Sequence, residues 1–335
     1  MSGTPPPWDD AAAWVTDGGL ETDLIFHHGV DLPGFAAFPL VDDERGRELL
    51  EHYYLGYADV ARRVGAGLLL ETPTWRAGAE WAASLGHDVH AAAGLNHRAV
   101  DLVHALRGRL TDLLAVRVVG TIGPLGDGYV AGERLDPDDA ASRHLPQVAA
   151  LAGAGVDAVT AYTLTGAAEA VGVVRAARSV GVAVAVSFTV ETDGTLPDGT
   201  ALADAVRRLE REAPADGYLV NCAHPDHVAR ALDGGDDGGH NGDGHDGHDG
   251  DDSHDGGWRS RILGLRPNAS TLSHAELDAA ETLDEGDLDL LVDRTEHLRQ
   301  RLPALRVLGG CCGTDVSHVA ALWAGPPGRA LLGAR

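Results

Sequence analysis

The chain contains no lysine. All 26 basic residues are arginine, they face 51 Asp and Glu, and the formal net charge is −25. A surface of that sign repels nucleic acid and anionic membranes, so neither is an expected partner. The acid excess reads as a solvated, halophile-type surface rather than as a binding site. Aromatics make up only 5% of the residues, which leaves Val, Leu and Ala to fill the core. No apolar run approaches the roughly 20 residues of a membrane span. Residues 1–10 are Pro-rich and acidic, without the basic and apolar regions of a secretory signal. Cysteine is scarce as well, at three in 335 residues. That excludes a disulfide scaffold and makes the reducing cytoplasm the expected compartment.

The few thiols are placed unevenly. Cys311 and Cys312 lie in Gly309-Gly310-Cys311-Cys312-Gly313-Thr314, just after an apolar run, and Cys222 follows the run Tyr218-Leu219-Val220-Asn221. Each therefore stands at the end of a predicted strand. Adjacent cysteines rarely pair with each other, because a disulfide needs separated Cα atoms and a defined dihedral. One cysteine alone is most often a small buried hydrophobe. Three at strand ends, two of them between glycines that permit tight turns and close approach, point instead to convergent thiolates. Three such thiolates suit a Zn²⁺ site with one position open.

Along the chain, continuous apolar runs alternate with helical spacing. Runs at residues 13–16, 67–74, 116–124, 156–163, 182–189, 217–221, 262–268 and 306–309 read as strands of the buried, parallel kind. Helices are expected at 43–64, at 79–110 with a break near Gly86, and at 137–153, 166–180, 200–212, 273–282, 287–301 and 315–323. Eight strand–helix units in this order predict an α/β fold, a (β/α)₈ TIM barrel over residues 1–335. No G-x-G-x-x-G follows the first strand, which disfavours a dinucleotide-binding sheet. One segment departs from the pattern: residues 233–257 hold nine Asp, ten Gly and four His and no apolar side chain. It reads as a disordered insertion on the face away from the site. Weak metal binding through His240, His245, His248 and His254 is the sharper alternative.

Barrel active sites lie at the C-terminal strand ends. Asp17, Glu21, Glu71, Thr72, Tyr162, Asn221 and the three cysteines all sit at such ends. At these residues the chain resembles the zinc-dependent homocysteine S-methyltransferase family. The pieces that carry the resemblance are Asp17-Gly18-Gly19, Glu71-Thr72-Pro73-Thr74, Gly120-Thr121-Ile122-Gly123-Pro124, Asn221-Cys222 and the Gly-Gly-Cys-Cys-Gly-Thr run. The resemblance implies a (β/α)₈ barrel and Zn²⁺ held by Cys222, Cys311 and Cys312. It further implies homocysteine as the acceptor thiol and Asp17 as a partner for the substrate ammonium. Glu21, Glu71, Thr72, Tyr162 and Asn221 are the other expected substrate contacts. Many members carry a Glu at the end of strand four, and the position taken to match it here is Ala161; Glu21 or Glu71 is the expected substitute. No extended cobalamin or folate module is recognised, so the donor is expected to be a free small molecule, S-methylmethionine or S-adenosylmethionine ahead of betaine. Trp75 and Trp81 keep an aromatic cage for betaine open. Two other readings stand beside this one. A zinc hydrolase on the same barrel would normally use His and carboxylate ligands. A non-catalytic metal-binding protein would place the function in the His-rich insertion.

Overall fold

A computed structural model describes residues 13–132, 135–234 and 257–333. Eight parallel strands close into a ring in sequence order: β1 (Trp14–Val15), β2 (Gly67–Glu71), β3 (Val116–Ile122), β4 (Ala158–Leu164), β5 (Val184–Phe188), β6 (Gly217–Asn221), β7 (Ile262–Arg266) and β8 (Val307–Leu308). β8 pairs back onto β1, so the expected (β/α)₈ barrel is the fold. Its interior is filled by inward side chains including Trp14, Leu69, Val119, Ala158, Leu219 and Val307. Trp14 plugs one end because position 67 is glycine: a Cβ there would sit 2.5 Å from the indole ring. The outward faces of the strands pack against the helical ring in one larger apolar cluster.

The helices start where local chemistry provides a cap. Asp43 accepts the Gly46 N–H ahead of Glu44–Val64, and Asp88 does the same for Val89–Arg109. Ser273 and Glu276 form a reciprocal capping box, but the helix they open runs only over His274–Asp278, shorter than the expected 273–282. The apolar spacing fades after Leu277, leaving no face to bury. Besides short helical turns such as Leu20–Thr22, two longer helices were not anticipated. Pro225–Asp233 leads directly from the Cys222 turn, and Pro326–Gly333 follows Val316–Ala324 at the C-terminal end. Asp233, placed at the start of the insertion from sequence, instead ends a helix and pairs with Arg301 at 2.6 Å. Residues 235–256, with all four insertion histidines, lie outside the described residues. Their flanks sit between a helix end and the start of β7, at the opposite end of the barrel from the cysteines. Among the described residues, no helix is long and apolar enough to cross a membrane.

Candidate metal centre

The chain leaves β6 through Cys222 and β8 through Cys311 and Cys312, and the three ligand sulfurs lie within 4.8 Å of one another. Cys222 Sγ is 3.6 Å from Cys312 Sγ. Cys222 holds a left-handed backbone, φ 54°, which is costly for a residue with a Cβ. Its surroundings impose it. The Cys222 N–H donates to the Arg266 carbonyl at 3.1 Å. Its own carbonyl accepts from Thr189 Oγ1 at 3.1 Å and faces His274 Nε2 at 2.7 Å. The β8 exit turns beside β1 because Gly310 has no side chain; a Cβ would meet Thr314 Oγ1 at 2.1 Å. Hydrogen bonds from Cys222 and Cys312 push the Cys311 thiol well below the ordinary value, with the charge of Arg266 adding to them, while Cys222 is driven well above it by bonds to the same neighbours and by burial. A trio of convergent sulfurs, one buried and two half-buried, fits a soft divalent cation.

Asn221, expected as a substrate contact, works as a brace. Its Oδ1 accepts the Thr163 N–H at 2.9 Å and the Ser187 hydroxyl at 2.6 Å, and its Nδ2 donates to Thr163 Oγ1 at 2.9 Å and toward Cys311 Sγ at 3.7 Å. Thr163, the other left-handed strand-end residue at φ 60°, is thereby locked. The Thr72 hydroxyl is also occupied within the frame, by Thr74 Oγ1 at 2.6 Å and the Thr121 N–H at 2.9 Å.

The floor of the adjoining cavity, about 330 Å³ in volume, is ionic. Arg266, at the end of β7, is 7% exposed. Its guanidinium pairs with Asp17 through Nη2 and with Glu71 through Nη1. It also donates to the carbonyls of Gly310 and Gly18, both at 2.9 Å. Tyr162 donates its hydroxyl to Glu71 and lays its ring 4.6 Å from the Arg266 guanidinium carbon. Asp17 is thus not a free carboxylate awaiting an ammonium; one oxygen belongs to Arg266. Burial raises its proton affinity well above the carboxylate norm; Arg266 opposes the rise and Glu71 adds to it. Ala161 proves the wrong position to compare with a strand-four glutamate. Its side chain points outward into the strand–helix core, and the inward residue at that strand end is Tyr162.

Glu21 lines the same cavity, and burial lifts its carboxyl to about 7. Because the folded value lies above the unfolded one near 4.5, ionised Glu21 opposes folding. The penalty is absent below about pH 4.5, grows up to about pH 7 and is constant above. Glu21→Gln is therefore expected to stabilise the metal-free protein by roughly 1–3 kcal/mol at pH 8 and to change nothing at pH 4. Denaturant midpoints at the two pH values check this, and an equal effect at both would contradict it.

Sequence reasoning missed Arg266 and also Tyr129. Tyr129 comes from the Gly-rich loop after β3 and places its hydroxyl 3.3 Å from Cys222 Sγ and 3.2 Å from Cys312 Sγ. Its ring stacks on His274 at 4.4 Å and 12°, and Glu191 holds His274 Nδ1 at 2.8 Å. A strand-end charge in a buried run was a usable signal for Arg266. Nothing local marked Tyr129.

Cysteine sulfurs gathered at the C-terminal mouth of a closed parallel barrel, over a charged cavity, define a class: a (β/α)₈ barrel carrying a thiolate group able to hold a metal ion. Within that class, the chain belongs to the homocysteine S-methyltransferase family, whose sequence profile matches residues 14–324, and it is a methyltransferase enzyme. Solved structures of the homocysteine methyltransferase MmuM from Escherichia coli share the fold. The oxidized form is 22% identical with a TM-score of 0.69, covering 94% of this chain and 96% of that one. The metallated form is 23% identical with a TM-score of 0.67, covering 94% and 97%. No curated protein matches the chain in sequence.

Proposed function

We propose that this protein is a Zn²⁺-dependent S-methyltransferase that moves a methyl group from a small sulfonium donor, S-methylmethionine or S-adenosylmethionine, to the sulfur of homocysteine, giving methionine. The observation that carries the reading is the convergence of Cys222, Cys311 and Cys312 beside a cavity of small-molecule size. A free thiol is mostly protonated at neutral pH and a poor nucleophile; zinc held by the three cysteines would supply the Lewis acidity that keeps an acceptor sulfur as thiolate. The remaining chemistry falls to positioning. The acceptor sulfur forms the new S–C bond to the methyl carbon as the donor C–S⁺ bond breaks, and the bonding pair stays on the departing thioether. The thiol proton goes to solvent. Braced by Asn221 and His274, the cysteine turns fix where the acceptor sulfur must sit, and Arg266 with Asp17 and Glu71 forms a polar floor for its amino-acid end.

Among the described residues the sulfur group contains no His or carboxylate, so nothing favours water activation of the hydrolase kind. The test is a donor screen with the zinc-loaded protein and deuterated homocysteine, since S-methylmethionine itself leaves methionine behind. Deuterated methionine is the expected product with one of the two sulfonium donors. Its absence with both, and with betaine, would overturn the assignment.

A further inference from the structure

Arg76 has buried hydrogen-bond donors that the protein leaves unused. It follows β2 in the segment Glu71-Thr72-Pro73-Thr74-Trp75-Arg76 and lines the same cavity as the cysteines. Its guanidinium carbon lies 3.6 Å from the Trp81 ring centroid and 4.6 Å from that of Trp75. Stacking of this kind fixes the plane of the fork but occupies none of its N–H groups. Nε and Nη1 are buried and have no hydrogen-bond partner. Buried donors without acceptors are uncommon, and each costs free energy until something accepts from it.

The acidic neighbours do not fill the role. Asp127 and Glu21 are near enough to act on Arg76 through their charge. Asp127 Oδ1, however, accepts the backbone N–H of Tyr129 at 2.7 Å and of Val130 at 3.3 Å. The pair of indoles read from sequence as a possible cage for a quaternary ammonium is closed to one, because Arg76 already lies over both rings. What the pocket offers at this point is a pre-oriented planar fork for a carboxylate, with Glu21 on the same cavity to face a cation.

The two arginines divide the cavity. Arg266 lies on the barrel floor with both its carboxylates in place, whereas Arg76 is half-buried on the loop after β2 and has none. Resting on the methyl-transfer reading above, we propose that Arg76 is the anchor for the carboxylate of the methyl donor, and that the donor is accordingly an amino-acid sulfonium with a free carboxylate. The stacked, permanently charged plane holds its unpaired N–H groups in fixed directions, which Lys cannot reproduce.

Equilibrium binding separates this proposal from the reaction. Calorimetry with the zinc-loaded protein, without acceptor, is run with S-methylmethionine, S-adenosylmethionine and the methyl ester of each. One of the free acids is expected to bind the wild type, and Arg76→Gln to weaken it roughly 10- to 100-fold, as loss of a charged hydrogen-bond pair does. The ester of that donor is expected to bind both proteins equally weakly, and Arg76→Lys to fall between. In turnover, Arg76→Gln raises the donor KM while leaving kcat and the homocysteine KM in place. The proposal is overturned if neither free acid binds the wild type, if Arg76→Gln binds as tightly as wild type, or if homocysteine binding suffers instead. Donor binding that depends on Arg76 without any methyl transfer would sink the reaction and leave the subsite standing. Transfer that proceeds unchanged in Arg76→Gln would do the reverse.

Discussion

Cys311→Ser is expected to release the metal and to lower methyl transfer by about 10³-fold or more. An unactivated thiol with a pKa near 8.5 is only about 3% thiolate at pH 7, a loss of roughly 30-fold before geometry is counted. Misplacing the reacting sulfur costs about as much again. Cys311 is the right residue to change because hydrogen bonds from the other two cysteines and the charge of Arg266 favour its thiolate most strongly of the three. Serine keeps the volume and the turn. Metal content after dialysis and the initial rate are the two readouts. One tight zinc per chain in the wild type and none in the variant is the expected pair. Retention of stoichiometric zinc by Cys311→Ser, with the rate intact, would remove the trio from the centre of the account.

Arg266→Met is expected to cost the fold about 3–5 kcal/mol, the usual range for stripping one member from a buried ionic group. Asp17 and Glu71 would then be left facing each other without a cation, each less than a tenth exposed. Burial already raises the proton affinity of Asp17 with Arg266 present, so its removal would force a proton onto the pair or water into the floor. The loss should be largest above pH 7 and smaller near pH 4, where the Asp17 carboxyl, already raised by burial, accepts a proton more readily. A triple variant that also carries Asp17→Asn and Glu71→Gln is expected to recover much of the difference, since neutral groups need no counter-charge. Denaturation midpoints at matched pH decide it. A single variant as stable as wild type would show that the network contributes nothing to the fold.

These two sites differ in how far the amino-acid sequence disclosed them. The thiols were legible because each ends an apolar run, and the runs are the strong signal in a parallel barrel. A period that switches from unbroken apolar stretches to helical spacing after seven of the eight runs leaves few folds open. The bracing around the thiols was partly legible: Asn221 stood out beside Cys222, but whether it touched substrate or backbone could not be read without its neighbours. Arg266 was hidden by distance along the chain, its partners lying 249 and 195 residues away. Parity hid Tyr162 from its proper comparison. A slip of one residue along a strand exchanges inside for outside, and the sequence match to a strand-four Glu falls on Ala161, which faces outward. Arg76 was hidden beside two tryptophans that suggest an aromatic cage, and the fold places its guanidinium over both rings. The helix Pro225–Asp233 was masked by the Asp- and Gly-rich tract that begins where it ends.

The ring closes through its two shortest members: β1 and β8 contribute two paired residues each, against five to seven in each of the others. Arg266 is mounted on β7, on one side of the seam, and grips Asp17 beyond β1 and Glu71 on β2, on the other side. The same guanidinium that pairs with both carboxylates is therefore a clasp across the short-stranded part of the wall. If the proposed acceptor floor is remodelled, this clasp changes with it, which would tie specificity to closure of the cylinder.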